Sequence, residues 1–209
     1  MQIVGLDLAG VEKRPSGFCI LNEKLKAKTF LLYSDKEIIY WINSLKPEVI
    51  SVDAPLALPK NRCCLKDSCP CKNKGHLREC DKALLKMRIK FFPLTLGAMR
   101  TLTLRGLRLK SFIEKNGFKV IETYPGAAQD LLGIPRKSFG IEPLRNALIK
   151  LGITGDVVKK EITTHELDAI TCALTGKMYL EGDYLALGNP NEILMILPKP
   201  GRNWKKNIK

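Results

Sequence analysis

Two of the most apolar stretches in this 209-residue chain end in a carboxylate: "QIVGLD" closes on Asp7, and "EVISVD" closes on Asp53 before Ala54 and Pro55. Short apolar runs of this kind read as buried strands. A carboxylate at the end of one loses hydration at a cost of several kcal/mol unless a partner compensates. The fold therefore has to carry these strand ends to a place where a cation or a hydrogen-bonding turn meets them. Between the two runs, "SGFCILN" and "KAKTFLLY" read as strands joined by short polar turns, and "DKEIIYWINSLK" as a helix with Ile38, Ile39, Trp41, Ile42 and Leu45 on its core side. Three tandem strands, a helix and then a strand apolar on both faces predict a mixed sheet, with the fourth strand laid beside the first by a crossover.

"FKVIETYP" is a fifth strand, with Glu122 near its end. Helices are expected around 81–90, 97–116, 142–151 and 164–181, the second with Leu102, Gly106, Leu109 and Ile113 on one face. "DYLALGNPNEILMILP" reads as a closing strand pair around a Gly188-Asn189-Pro190-Asn191 turn. The expectation is one α/β domain over 1–209. It has a five-stranded mixed sheet flanked by helices, a basic, Cys-rich and helical insertion at 60–118 between the fourth and fifth strands, and a C-terminal strand pair. A chain of this length can bury one good-sized core. No run approaches the ~20 apolar residues of a membrane span, and the N-terminus has neither a basic leader nor a small-residue cleavage site. A soluble cytoplasmic protein without a membrane partner is expected.

If the first and fourth strands are parallel neighbours about 4.8 Å apart, Asp7 and Asp53 come near enough to share an ion. Like charges there repel, so a cation is the natural compensation. Glu122 near the end of the fifth strand extends the pattern. The alternative is that each acid caps a turn, Asp53 before Ala54-Pro55 and Asp7 before Gly10. In "TTHELDAITCALTG", Thr163 and Glu166 have the spacing of a capping box, which assigns Glu166 to starting a helix. His165 and Asp168 fall three apart on one helical face, while Leu167, Ile170 and Leu174 face the core. Aimed at the sheet edge, that pair completes an oxygen-rich site with one imidazole; alternatively Asp168 only complements the helix dipole. Hard oxygen ligands select Mg²⁺ or Mn²⁺, and the imidazole tilts the choice toward Mn²⁺.

Charge points to the partner. From Lys60 to Lys119, sixteen Lys or Arg stand against four acids, which supplies +12 of the chain's net +14. Concentration in one segment favours an anionic partner, nucleic acid before membrane, over a generally solvated surface. Lys60, Arg62 and Arg78 are expected beside the acidic site, and Arg88, Arg100, Arg105 and Arg108 against phosphates, although each fits a solvated helix face as well. The tail "PKPGRNWKKNIK", with Trp204, repeats the basic theme. Within the same segment, Cys63, Cys64, Cys69, Cys71, His76 and Cys80 offer six soft ligands, more than the four a structural zinc takes. Four of them holding zinc, an iron–sulfur cluster, or unliganded thiols are the alternatives. Cys19 and Cys172 sit in apolar settings and read as core.

The order GxDxAG around Asp7, VDAP around Asp53, ETYP at Glu122 and HELDA at His165 to Ala169 resembles the family called domain of unknown function 429. Members are predicted nucleases with a ribonuclease H-like fold. The broader relatives, Holliday-junction resolvases included, hold two divalent ions with acids from the first strand, the fourth strand and a late helix. The resemblance implies Asp7, Asp53 and Asp168 as those ligands, His165 as their assistant, and Glu122 as the match to the family's E-x-x-P element. The Cys-rich stretch departs from the usual superfamily core. The implied activity is metal-dependent hydrolysis of phosphodiester bonds by a two-metal-ion mechanism. A zinc-stabilised nucleic-acid-binding protein without catalysis is the alternative. An ATP-dependent enzyme lacks its Gly-rich phosphate loop here, and for a small phosphorylated substrate the basic segment is oversized.

Overall fold

The strands are β1 (Gln2–Asp7), β2 (Ser16–Asn22), β3 (Lys26–Leu32), β4 (Val49–Asp53), β5 (Val120–Thr123), β6 (Thr154–Gly155), β7 (Tyr184–Asn189) and β8 (Ile193–Pro198). The helices are α1 (Asp35–Leu45), α2 (Glu79–Lys86), α3 (Gly97–Lys115), α4 (Pro125–Leu132), α5 (Ile141–Lys150) and α6 (Thr164–Leu180). This computed structural model describes residues 1–201, so most of the basic tail, Trp204 included, lies outside the described residues. No helix among the described residues is long and apolar enough to cross a membrane.

All eight strands join one mixed sheet in the order β6-β3-β2-β1-β4-β5-β8-β7. The expected crossover is present: β4 runs parallel to β1, whereas β2 is antiparallel to both β1 and β3. The sheet is wider than the five strands expected. The C-terminal pair is not a separate hairpin, because β8 lies parallel to β5 with Met195 opposite Glu122. At the other edge the two-residue β6 pairs with β3, too short to leave a periodic signal. Helix α4 also went unforeseen. Its Pro125 takes the first helical turn, where a missing N–H costs nothing, and Gly133 ends it in the left-handed region.

Alternation along the strands sorts residues between two layers. Val4, Leu6, Ile50 and Val52 face one side and pack with Ile38 and Ile42 of α1 and Leu109 and Ile113 of α3. Ile3 and Val49 face the other, against Ala169, Ile170 and Ala173 of α6. The basic segment is therefore no detached lobe, since α3 supplies core residues. Helix α2 likewise packs Cys80 and Leu84 against Ala127, Leu131, Met195 and Leu197.

Helix α6 departs from the one-faced pattern expected of it. Every residue from Glu166 to Gly176 is buried, because the sheet lies beneath the helix and α4 and α5 pack against it. Two glycines allow that close approach. A Cβ on Gly5 would stand 2.0 Å from the Ala169 carbonyl oxygen, and one on Gly17 2.0 Å from that of His165. Gly17 is the partner of Asp7 in the β1–β2 ladder, so the start of α6 is seated directly over the end of β1.

Candidate metal centre

Asp7 and Asp53 end adjacent parallel strands and are in register with each other. By alternation both share the sheet face of Ile3 and Val49, the face α6 covers. The capping box predicted for that helix is formed: the Thr163 hydroxyl accepts from the Glu166 backbone N–H, and the Glu166 carboxylate accepts from the Thr163 N–H. Glu166 also accepts from the Thr29 hydroxyl at 2.7 Å, tying the helix start to β3. With its first turn fixed, α6 places His165 Nδ1 2.7 Å from Asp7 Oδ2 and buries Asp168 at 2% exposure.

A lysine that sequence reasoning passed over completes the cluster. Lys137, on a short 3-10 turn before α5, sets its ammonium 2.6 Å from Asp168 Oδ2. The other Asp168 oxygen accepts from the Gln129 amide at 2.8 Å, a contact made by the unforeseen helix α4. Lys137 stands outside the basic segment, in a loop with no periodicity, and no local signal marks it.

The electrostatics are those of crowded acids. Withdrawal from water, and then the charges of Asp7 and Asp168, push the Asp53 carboxyl well above its usual range. Burial likewise raises Asp168, with Lys137 pulling the other way. The hydrogen bond to Asp7 raises the His165 imidazole. Desolvation works against the Lys137 charge, but Asp168, Asp7 and Asp53 together outweigh it and hold the ammonium above its ordinary value. The donor set of carboxylate oxygens and one imidazole fits a hard divalent ion. The spacing is open: among the described residues, four thiols are the group whose ligand atoms all lie within 4.8 Å of one another, and the aspartates around Lys137 are not gathered that tightly.

Glu122 is not brought into this cluster. It pairs with Val52, not Asp53, so alternation turns it to the opposite side of the sheet; Thr123 holds the position beside Asp53. There its carboxylate accepts from the Leu56 backbone N–H and from the Arg78 guanidinium, both at 2.7 Å. Glu122 is 1% exposed and Arg78 2%. Arg78, expected beside the acidic site as a nucleic-acid contact, is locked between Glu122 and Asp81, and these carboxylates raise its pKa against the pull of burial.

Two further arginines are also internal. Arg105 bonds Asp35 and the carbonyls of Ala9 and Tyr33, joining α3 to the β1 and α1 ends, and Arg62 bonds the carbonyls of Cys64 and Gly75. Arg100 forms a bidentate pair with Asp67. Of the seven basic residues expected beside the acidic site or against phosphates, Lys60, Arg88 and Arg108 are exposed. A burial-blind count of positive charge cannot separate these classes.

The cysteine set resolves to four. Cys63 and Cys69 place their sulfurs 3.6 Å apart, and Cys64 and Cys71 3.7 Å. Sulfurs bound to one tetrahedral zinc at about 2.3 Å would be spaced about 3.8 Å apart. Desolvation opposes ionisation of Cys71, yet hydrogen bonds from the Cys69 thiol and the Cys64 backbone outweigh it and lower its pKa to about 6. His76 instead contacts the Thr95 hydroxyl, and Cys80 is buried in the α2 core. Neither belongs to the cluster. Cys19 and Cys172 are core residues, as expected.

No family model matches the chain, so the resemblance to domain of unknown function 429 has no such match behind it. No curated protein matches it. Among solved structures the chain is similar to one described as the Thermus thermophilus RuvC structure, with 14% sequence identity and a TM-score of 0.47, over 93% of this chain and 100% of that one.

Proposed function

We propose that this chain is a divalent-metal-dependent nuclease that hydrolyses phosphodiester bonds at the β1–β4 edge. The observation that carries the reading is the meeting of Asp7 and Asp53, in register on one sheet face, with His165 and Asp168 from the start of α6. Asp7, Asp53 and Asp168 would hold Mg²⁺ or Mn²⁺. Two such ions would supply charge stabilisation to the attacking and leaving oxygens and ionise a bound water. The chain's own groups do the rest. Asp7 fixes the imidazole of His165 through Nδ1, and Gln129 fixes Asp168. Lys137 offers a positive charge to a phosphate oxygen once it leaves Asp168. The exposed Lys60, Arg88 and Arg108 meet backbone phosphates, so binding weakens steeply with salt. The four thiols would hold a structural zinc that orders the loop, with Arg62 tying the Cys64 and Gly75 carbonyls together.

The closer gathering of the thiols than of the carboxylates favours a second reading, a zinc-stabilised nucleic-acid-binding protein with no catalysis. Incubation with single-stranded, duplex, hybrid and branched substrates in Mg²⁺ or Mn²⁺ separates the two. Cleavage that disappears in Asp7→Asn and Asp53→Asn is the expected result. Binding to any substrate without cleavage, or cleavage undiminished in both variants, removes the carboxylates from the chemistry.

A further inference from the structure

A cavity of about 330 Å³ opens beside Asp7, Asp53 and Lys137. Its volume lies at the small end of ligand pockets, roughly 300–1,000 Å³. Phe91, Phe92, Leu94, Met99 and Leu102 give it an apolar wall. Arg78, Asp81 and Glu122 also line it and supply polar groups of both signs. Three N–H groups of Arg78 are taken by the two carboxylates, which leaves two of its five donors. Thr123, 2% exposed, lines the same cavity, and its hydroxyl has no hydrogen-bond partner among the described residues. A buried polar group left unpaired calls for a ligand or water. The wall is held in place: the Tyr124 hydroxyl donates to the Lys90 carbonyl at 2.8 Å, and Ile89 and Leu94 anchor either side of the two phenylalanines in the core. Phe92 nonetheless stands 71% exposed at the surface. An exposed aromatic on an anchored loop beside a carboxylate cluster is placed for contact with a flat apolar partner.

Resting on the nuclease reading, we propose that this cavity takes one unpaired nucleobase, whose own phosphate then lies at Asp7, Asp53 and Asp168. Flat aromatic faces, a hydrogen-bonding edge and an adjoining phosphate describe a nucleotide, and a base pair is too large for the space. The preferred substrate is a strand with a base already out of the stack, because extruding a paired base costs unstacking energy that an unpaired one has already met. Phe91 and Phe92 stack on the base; the two remaining donors of Arg78 read its edge.

The source of the nucleotide, a polynucleotide or a free mononucleotide, is decided by binding measurements on the full chain with Ca²⁺ present. The probes are a duplex with one bulged 2-aminopurine, the same duplex fully paired, the same duplex with a bulged abasic site, and AMP. The bulged base is expected to bind about 10-fold tighter than the paired or abasic duplex, the worth of one base stack, with a change in its fluorescence. Phe92→Ala, at an exposed position, and Met99→Trp, which fills the cavity, should each erase that advantage while thermal melting stays the same. Equal binding of all three duplexes, with Mn²⁺-dependent cleavage intact, overturns the base pocket and leaves the nuclease reading standing. Binding of AMP with the same sensitivity to both variants, but no binding or cleavage of any duplex, supports the pocket with a free nucleotide as its source and ends the nuclease reading. Failure to bind AMP and every duplex overturns the pocket.

Discussion

The Lys137 ammonium is 2.6 Å from the Asp168 carboxylate, at a point where it also feels Asp7 and Asp53. It is a cation supplied by the chain itself, where a divalent ion would act. Lys137→Met should have two opposite effects. Without metal it leaves Asp168 buried with the Gln129 hydrogen bond but no opposite charge and costs about 1–3 kcal/mol, less than a fully buried pair because Lys137 is 46% exposed. With metal it removes a competitor, so titration calorimetry should show Mn²⁺ binding tighter than in the wild type. Weaker Mn²⁺ binding would show that Lys137 does not occupy the ion's place.

Asp53 is the acid most opposed to its own charge. Its carboxyl is raised above the ordinary value of 3.8 by desolvation and by Asp7 and Asp168. The folded chain thus holds the proton more tightly than the unfolded one, and stability falls as pH rises from that ordinary value through the raised one. In EDTA at pH 8, Asp53→Asn should gain about 1–2 kcal/mol, and the loss of stability between pH 5 and pH 8 should shrink. For a chain of this size the gain is a rise of roughly 2–8 °C in melting temperature. The same variant should lose stabilisation by Mg²⁺. A variant less stable than the wild type at pH 8 in EDTA contradicts the assignment.

Glu122 should behave as structure, holding Arg78 in place. Removing one partner of a buried ion pair costs about 3–5 kcal/mol, so Glu122→Gln should lower the denaturation midpoint by a corresponding amount. Mn²⁺ affinity, measured under conditions where the variant is folded, should stay within about twofold of the wild type. A loss of Mn²⁺ binding as large as that of Asp7→Asn would return Glu122 to the metal site.

Purified protein should contain one zinc per chain by elemental analysis. Cys64→Ser should release it, whereas Cys80→Ala should keep it and destabilise the α2 core instead. Chelation should expose the loop over 60–78 to proteolysis, because Leu65 is the one buried apolar side chain in a stretch this polar. Iron in place of zinc would identify a cluster, and metal-free protein with a protected loop would mark the thiols as unliganded.

By itself, the amino-acid sequence determined the periodic elements and the strand-end acids. Alternating apolar runs, a capping box at Thr163 and a crossover between two buried strands are local patterns, and each was legible at Asp7, Asp53 and the start of α6. Only the tertiary structure decided which charges meet at the strand ends and which are locked inside. Glu122 looks like Asp53 in sequence, yet the β4–β5 register pairs it with Val52 and turns it to the other face. Arg78, Arg105 and Arg62 count as positive charge in any composition, and burial makes them internal clamps. Lys137 and Gln129 reach Asp168 through loops and a helix without periodic signal. The physical reason is that backbone pattern is set by neighbours in the chain, whereas the role of a charge is set by distance and dielectric, which depend on partners far apart in sequence.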